Sequence, residues 1–342
     1  MKRKILVLFV ALATFFAAVS CSGQGKKTEN DFSDYESFKG KTVVTVGAGG
    51  TPDVIFRHIL AAKGIEINGE GENSADKVTV DYASDASAVI QKLKTGDAEY
   101  AILGEPAVTT VCGKTGKKVV LDLQSAFKTV HSDVNFVQAG LFATNSITKH
   151  SALINALVNK LGENKNFVYE NKSDLKDLFE RHDSSLKNSV FTDELLDRCN
   201  IGMKKAGEVK KDVEAFLNTV KEFNAQQIGG KLPESDFYYD FSAENSAEYA
   251  KTAFKIGVVD GAPSLAVANI LDGFSFADGE TSVSVSVELV GGADAIRAGL
   301  LSGDFDMAIA PLNLASALYN AKPEKGINLL SVNIFGCLYL IG

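Results

Sequence analysis

The chain has 342 residues, of which 45% are hydrophobic, and this length is near that of two domains with a buried core each. Its net charge is −8, and removal of residues 1–20 would take away three basic residues and no acidic one. Nucleic-acid binding needs a basic surface, so the acidic balance excludes nucleic acid as a partner.

The N-terminal segment predicts export. Residues 2–4 are basic, residues 5–19 are apolar, and the sequence AVSC follows at residues 18–21. The apolar run is shorter than the about 20 residues of a membrane-spanning helix, so we expect a signal peptide over residues 1–20. Cys21 behind small residues resembles a bacterial lipobox, which implies a lipid on Cys21 and a flexible tether over residues 21–31. An ordinary secretory signal with a chance cysteine is the alternative.

The first strand, predicted over residues 42–46, ends in a glycine-rich turn at residues 47–50. Thr51, Pro52 and Asp53 are typical of a helix start, because they supply a capping residue, a proline in the first turn and an acid near the positive helix end. Pro52 stands where a dinucleotide-binding fingerprint has its third glycine, and no Gly-Lys-Ser/Thr follows, so we expect no nucleotide site.

Strands over residues 78–82 and 100–103, with a helix over residues 86–94, complete a strand-helix-strand-helix-strand unit. Such a unit implies a parallel sheet with right-handed connections, and ligands of these sheets bind beyond the carboxyl ends of the strands. Tight turns without ligand contacts are the alternative reading. The expected ligand positions lie within residues 47–51, at Ser84 and Asp85, and within residues 104–106.

The middle of the chain predicts a helical block. Helices are expected over residues 151–161, 174–179, 193–199 and 209–223, and no strand is predicted among them. A loop rich in turn residues and aromatics follows at residues 229–240. The polar residues 242–250 then join this block to the C-terminal part of the chain.

Residues 255–342 repeat the pattern of residues 41–144. Each copy begins with an apolar run that breaks into a small-residue turn containing proline, Pro52 in the first copy and Pro263 in the second. Each continues with an alternating strand, a helix and a Gly-Asp pair before another apolar strand. In the second copy we expect a helix from residue 263 to residue 271. Two matching lobes follow, with helix N-termini that face the strand ends.

Cysteines and histidines give no sign of a metal centre. Cys112, Cys199 and Cys337 remain in the mature chain, so at least one is unpaired, and the sequence assigns no disulfide. No cysteine pair has the spacing of zinc ligands, and the four histidines are scattered along the chain. We therefore expect no metal.

Several stretches together resemble the periplasmic solute-binding proteins of ABC importers, in the class that includes nitrate, sulfonate, taurine and thiamine-precursor binders. The resemblance implies an α/β, two-lobe fold of the type II periplasmic-binding-protein kind, in which each lobe has a mixed, mostly parallel five-stranded sheet flanked by helices. The stretches that carry it are VGAGGTP at 46–52, GDAEYAILGEP at 96–106, GGKLP at 229–233, DFYY at 236–239, GDFDMAIAPLNLA at 303–315 and VNIFGCLYL at 332–340.

The order of the two copies is reversed relative to that family, so the chain is similar to a circular permutant. The alternative is a rearranged or artificial arrangement of a normal member. The resemblance also implies that residues 140–144 join the sheet of the second copy and residues 338–341 the sheet of the first. The implied domains are lobe II, residues 32–137 with 338–342, and lobe I, residues 138–337, which comprises the helical block 145–241, a linker 242–254 and an α/β core 255–337.

The function implied by the resemblance is capture of a small organic solute between the lobes and its delivery to the permease of an ABC importer. The protein would be a lipid-anchored, extracytoplasmic monomer without a cofactor. If Glu105 and Asp260 line the cleft, they favour a cationic or N–H-donating ligand; otherwise they are solvated loop acids. The expected ligand contacts are Gly49, Gly50, Thr51 and Glu105 from one lobe, and Asp260, Ala262, Pro263, Ser264 and Asn313 from the other.

Two other functions remain open at the level of sequence. An enzyme of the same fold is one, but the chain has no Gly-x-Ser-x-Gly elbow, no paired cysteine and histidine, and no metal-ligand spacing, so we expect no catalysis. A lipoprotein that senses a ligand and signals to a membrane receptor is the other.

Overall fold

The computed structural model of the protein describes residues 34–342, so the predicted signal peptide, Cys21, the predicted tether and the first two residues of lobe II lie outside the described residues. The strands are β1 (Thr42–Val46), β2 (Thr79–Ala83), β3 (Tyr100–Gly104), β4 (Val119–Asp122), β5 (Ala139–Ala143), β6 (Ile201–Lys205), β7 (Ala253–Val259), β8 (Phe274–Asp278), β9 (Thr281–Val290), β10 (Met307–Pro311), β11 (Asn328–Ile334) and β12 (Leu338–Ile341). The α-helices are α1 (Thr51–Ala62), α2 (Ala86–Thr95), α3 (Ala107–Thr115), α4 (Leu123–Val130), α5 (Ser151–Gly162), α6 (Asn164–Glu170), α7 (Leu175–Arg181), α8 (Asp193–Arg198), α9 (Lys210–Asn224), α10 (Ala262–Leu265), α11 (Ala293–Ser302) and α12 (Leu312–Ala321).

Corresponding helices in the two copies of the repeat, α2 and α11, end in the same way. The Asp85 carboxylate accepts a hydrogen bond of 2.9 Å from the Ala88 N–H and caps the start of α2. The helix ends at Gly96, which has a φ of 80°, and α11 of the second copy ends at Gly303, with a φ of 89°. Both glycines adopt the left-handed conformation that terminates helices, which explains the Gly-Asp pair in each copy.

Two sheets organise the described chain. The first has the order β2-β1-β3-β12-β4, in which β1 runs parallel to β2 and β3. The second has the order β6-β11-β5-β10-β7-β9-β8, in which β7 runs parallel to β9 and β10. The predicted α/β two-lobe class is confirmed, since each sheet has a parallel centre and helices around it.

The strand exchange implied by the resemblance is present. Strand β12 pairs antiparallel with β3 and β4 of the first sheet, although it follows β11 of the second sheet. Strand β5 pairs antiparallel with β10 and β11 of the second sheet, although it follows β4 of the first. Because both sheets have the same central strand order, the topology does not depend on which copy comes first, and the permuted order stays a prediction.

The prediction of five strands in each sheet is wrong for the second sheet, which has seven. Strand β8 forms a hairpin with β9 through a turn at Gly279, whose φ is 60°. Strand β6 pairs with β11 at the opposite edge, so the prediction of no strand in the helical block is also wrong. Only Ile201 of β6 is fully buried, and an edge strand with so little apolar alternation leaves a weak pattern.

The helix predicted over residues 263–271 is shorter than expected. Helix α10 covers Ala262–Leu265, and a separate 3-10 turn covers Ala268–Ile270. The chain leaves helical geometry at Val267, where φ is −126°. The apolar side chains of this stretch are still buried. The periodic pattern therefore predicted their burial correctly and the length of the helix incorrectly.

One face of each sheet contributes to a shared apolar layer. Residues of α1 and α4 on the first sheet and of α11 and α12 on the second belong to it, and α9 packs against both α1 and α12. Phe216 of α9 meets Phe136 edge-on, with ring centroids 5.7 Å apart. The other face of each sheet has its own core, built with α2 and α3 or with α5 and α7. Within residues 34–342 every helix is too short or too polar to span a bilayer.

Candidate functional site

The carboxyl ends of the two sheets meet at two crossing segments, residues 134–138 and 335–337. The Glu105 N–H, directly after β3, donates to the Cys337 carbonyl at 2.9 Å. The Leu312 N–H, directly after β10, donates to the Gln138 carbonyl at 3.0 Å. The Cys337 N–H in turn donates to Oε1 of Gln138 at 3.1 Å. The central parallel strand of each sheet therefore ends against the same pair of segments.

We call the loops after β1, β3, β7 and β10 the interlobe site. Strand β1 lies beside β3, and β7 lies beside β10, so these loops are on the same side of the exchanged strands β12 and β5 in both sheets. All nine residues predicted to contact a ligand lie in this set of loops or in the first turn of the helix that follows. The fold thus brings the residues of the two copies to corresponding ends of two sheets, as expected for a site between lobes.

The loop after β1 is held by Asp53, a residue that is fully buried. Its Oδ2 accepts hydrogen bonds from the Gly49 N–H at 2.8 Å and from the Tyr82 hydroxyl at 2.9 Å. Its Oδ1 accepts from Nε of Arg57 at 2.7 Å, and Nη2 of Arg57 donates to the Tyr82 hydroxyl at 2.7 Å. This network fixes the glycine turn and the entry to α1.

Gly49 also contacts the helical block. The side-chain amide of Gln227 donates to the Gly49 carbonyl, and a Cβ at Gly49 would lie 2.9 Å from Nε2 of Gln227 and 3.6 Å from the Phe223 ring. The turn that carries Gln227 is attached to α12, because the Ser316 hydroxyl donates to the Ile228 carbonyl at 3.0 Å. Gln227 therefore links the second lobe to the first at the mouth of the interlobe site.

Glu105 is buried, with 4% of its surface exposed, and it follows β3 through a cis bond to Pro106. Its two carboxylate oxygens accept hydrogen bonds from the N–H and the hydroxyl of Thr109, at 3.0 Å and 2.9 Å. Nη1 of Arg198 on α8 lies 3.9 Å from Oε1. Burial raises the pKa of Glu105, and these partners offset only part of the rise.

Asp260 directs its carboxylate at the protein itself. Oδ1 accepts hydrogen bonds from the Ser184 hydroxyl at 2.5 Å, the Ser264 hydroxyl at 3.1 Å and the Gly261 N–H at 3.0 Å, and Oδ2 accepts from the Ser185 N–H at 2.7 Å. Burial by itself raises the pKa of this carboxyl, but the hydrogen bonds outweigh it and the pKa is lowered. Asp260 is therefore ionised at neutral pH. It anchors its loop to Ser184 and Ser185, which follow α7.

The remaining residues predicted on the second lobe differ in exposure. Ala262 and Ser264 are buried, whereas Pro263 is half-buried at the start of α10. Asn313 lies in the first turn of α12, next to the crossing segment that holds Leu312. Its buried Oδ1 has no hydrogen-bond partner among residues 34–342. A buried acceptor without a donor is uncommon, and a ligand donor would satisfy it.

Four of the cavities in the described part of the chain, with volumes of about 320 to 570 Å³, have none of the nine predicted residues in their walls. At the interlobe site the protein's own groups occupy the strand ends: Gln227 on the Gly49 carbonyl, Ser184 on Asp260 and Thr109 on Glu105. A solute at this site would replace some of these contacts or add to them.

The sequence did not indicate most of the partners of the site. Gln227, Ser184 and Arg198 come from the helical block, which carried no binding motif. One pair was readable, because Asp53 and Arg57 are four residues apart in a predicted helix and can form an ion pair on one face. Thr109 and Ser264 likewise lie four residues after their acidic partners Glu105 and Asp260, whereas Gln227, Ser184 and Arg198 contact distant parts of the chain.

The structure gives no support for metal or disulfide chemistry in the part that it describes. Among residues 34–342 no three histidine, cysteine or acidic side chains cluster so that they could hold a metal ion. Cys112, Cys199 and Cys337 are free thiols, two of them buried. Burial raises the pKa of the Cys337 thiol to about 12, so it stays protonated at neutral pH.

Comparisons with protein-family models and with curated proteins gave no match. Among solved structures, the chain is similar to a binding protein component of an ABC phosphonate transporter from Pseudomonas aeruginosa, with 9% identity, a TM-score of 0.30, and 88% of this chain and 68% of that chain covered. It is similar to a phosphate-binding protein of a phosphate ABC transporter from Streptococcus pneumoniae, with 9% identity, a TM-score of 0.30 and 88% of both chains covered. It is also similar to the oligopeptide-binding protein AppA from Bacillus subtilis, with 12% identity, a TM-score of 0.28, and 77% of this chain and 55% of that chain covered. The two-lobe fold rests on the strand pairings described above and not on these likenesses.

Proposed function

We propose that the protein captures a small organic solute between its two lobes and delivers it to the permease of an ABC importer, without chemical conversion of the solute. The observation that carries this proposal is the strand exchange, which brings the carboxyl ends of β3 and β10 to the same crossing segments. Two lobes connected by such crossing segments can change their relative angle, and closure of lobes around a ligand is a common mode of capture.

The chemistry of the interlobe site favours a solute with N–H or O–H donors that need not be cationic. Glu105 and Asp260 already accept hydrogen bonds from protein donors at both carboxylate oxygens, so neither acid needs a ligand cation to satisfy it. The Asn313 Oδ1 is the acceptor of the site that lacks a donor among the described residues. The backbone N–H groups of the exposed turn at residues 47–48 would donate further hydrogen bonds to the solute.

We further propose the division into lobe II and lobe I given above, the permuted order of the copies, and attachment to the membrane through a lipid on Cys21. The Cys21→Ala variant should then appear in the soluble extracytoplasmic fraction, while the unchanged chain stays with the membrane. Equal membrane association of both would contradict the lipid anchor. The leader and Cys21 support this part of the proposal through sequence alone.

A ligand screen by calorimetric unfolding tests the capture function. A solute at about 100 times its dissociation constant should add about 2.7 kcal/mol to the free energy of unfolding. Calorimetry suits this chain because it has no tryptophan for an indole readout. A solute that binds at one site and is recovered unchanged supports capture. A reproducible product would instead favour an enzyme of this fold, and binding without any effect on uptake in cells would favour a sensor.

A further inference from the structure

A second interlobe groove lies on the other side of the exchanged strands. This cavity of about 320 Å³, which we call the hinge groove, takes walls from both lobes and from both crossing segments. In the first sheet β4 lies beyond β12, and in the second sheet β11 and β6 lie beyond β5, whereas the interlobe site follows strands on the opposite side. The residues used below are Asp122 and Lys128 of the first lobe, Phe136 and Phe335 of the crossing segments, and Asn200 and Lys204 of the second lobe.

The charged side chains of the hinge groove are mainly basic, whereas the whole chain is acidic. The chain carries a net charge of −8, yet the groove contains two lysines and one acid. Oδ1 of Asp122 already accepts hydrogen bonds from Gln124 at 2.8 Å and from the Ser125 N–H at 2.9 Å. Within residues 34–342, Lys128 donates to the Asn135 amide oxygen at 3.2 Å and Lys204 lies over an aromatic ring, and neither forms an ion pair with a carboxylate.

The wall between the two lysines is aromatic. Nζ of Lys204 lies 5.6 Å from the centroid of the Phe335 ring. Phe136 is 3% exposed and packs edge-on against Phe127 at 5.3 Å, so its position is fixed by the core. Asn200 is also held, because its side-chain amide donates to the Gly336 carbonyl at 2.8 Å. Convergent cationic and amide groups around a fixed apolar wall are typical of a small-molecule site.

We propose that the hinge groove binds a small organic carboxylate with an aromatic body, whose anionic group lies between Lys128 and Lys204 and whose ring packs on Phe335. Because Lys128 lies on α4, which follows the edge strand β4, and Lys204 lies on the edge strand β6, this ligand joins these two sheet edges across the hinge. Rotation about the crossing segments that closes the interlobe site separates these two edges. Occupancy of the groove therefore opposes closure and lowers solute affinity, and by linkage the solute lowers affinity for the carboxylate. This coupling rests on the proposed capture function, whereas binding in the groove does not.

The binding is tested on the full mature chain with 4-iodobenzoate, and neutral 4-iodobenzamide serves as the probe control at constant ionic strength. Titration calorimetry of Lys128→Met and Lys204→Met should show affinity for 4-iodobenzoate reduced at least fivefold by each change and lost when both are combined. Lys114→Met removes the same charge on the outer helix α3 and should leave affinity within twofold. Equal affinity in all variants, or equal binding of the amide, would overturn the proposal. Unfolding midpoints of the variants verify that they are folded.

The position of bound 4-iodobenzoate and its coupling to the interlobe site are measured in separate experiments. Crystals soaked in 4-iodobenzoate should show an anomalous iodine peak beside Phe335, and a peak elsewhere with an empty groove would refute the site. Asn313→Leu should leave 4-iodobenzoate binding unchanged, because Asn313 lies across the exchanged strands. A solute identified by the ligand screen should bind at least threefold more weakly when 4-iodobenzoate is saturating, and unchanged solute affinity would refute the coupling. If no solute binds, the capture function fails while the calorimetry still decides the groove.

Discussion

Nη1 of Arg198 lies 3.9 Å from Oε1 of Glu105, although Arg198 ends α8 in the helical block and Glu105 follows β3 of the first sheet. The same guanidinium lies 5.9 Å from the ring of Tyr339 in the exchanged strand β12, and the Tyr339 hydroxyl donates to the Arg198 carbonyl at 2.9 Å. The helical block therefore contacts the first sheet as well as the second. The charge of Arg198 lies beside the loop after β3, at the strand ends that a solute would approach.

Replacement of Glu105 by glutamine tests the energetic role of this buried carboxyl. Burial raises the pKa of Glu105 above its ordinary value of 4.5. A carboxyl whose pKa rises on folding contributes stability that is present at low pH and is lost as the pH rises through the raised pKa. Relative to Glu105→Gln, the unchanged protein should therefore lose stability as the pH is raised from below this ordinary value to neutrality, as measured by urea unfolding. A difference between the two proteins that is constant over this range contradicts the raised pKa.

Asp260→Asn should show the opposite pH dependence. Burial by itself would raise the pKa of Asp260, but the hydrogen bonds from Ser184, Ser185 and Ser264 lower it below 3.8. A lowered pKa contributes stability that is present above the ordinary value and is lost as the pH falls through the lowered pKa. We expect Asp260→Asn to cost about 1 to 2 kcal/mol at neutral pH and to approach the unchanged protein in strong acid. Denaturant unfolding at both pH values measures this, and a cost that persists in strong acid would argue against it.

Gly49 and Gly47 form a matched pair for the contact with Gln227. Both glycines have a φ of 72°, so alanine at either position should cost about 1 to 2 kcal/mol in backbone strain. A Cβ at Gly49 would also displace Gln227, whereas a Cβ at Gly47 would meet nothing within 4 Å. Gln227→Ala should then cost about 1 kcal/mol in the Gly47→Ala protein and almost nothing in the Gly49→Ala protein. Urea unfolding of the double variants measures the coupling, and equal costs in both backgrounds would show that a Cβ at Gly49 does not disturb the Gln227 contact.

Asn313→Leu should separate binding from stability. Removal of a buried acceptor that has no donor should leave the free energy of unfolding unchanged or raise it by up to about 1 kcal/mol, while solute affinity falls about tenfold. Asn320 provides the control, because its Oδ1 also lacks a partner but its amide donates to the Ile228 and Lys231 carbonyls. Asn320→Leu should therefore reduce stability and leave solute affinity unchanged. Full solute affinity in Asn313→Leu would remove Asn313 from the site.

The repeat in the sequence predicted two sheets with matching strand ends, and the resemblance to a known family implied the exchanged strands. The reason is local: apolar runs, glycine turns and Gly-Asp helix ends each have a short-range physical cause, as at Gly96 and Gly303. The edge strands were missed for different reasons. Strand β6 has little apolar alternation, whereas the alternation at Phe274 and Phe276 and the turn at Gly279 could have indicated β8.

The sequence by itself determined the fold class, the acidic character of the chain and the set of loops that lie at the strand ends. Only the tertiary structure decided what those loops contact. Gln227 reaches Gly49 across 178 residues, and Ser184 reaches Asp260 across 76 residues. Such pairs leave no periodic pattern in the sequence, because tertiary packing brings distant parts of the chain together. The same packing decided that Asp260 accepts hydrogen bonds from Ser184 and Ser185, which no count of acidic residues could reveal.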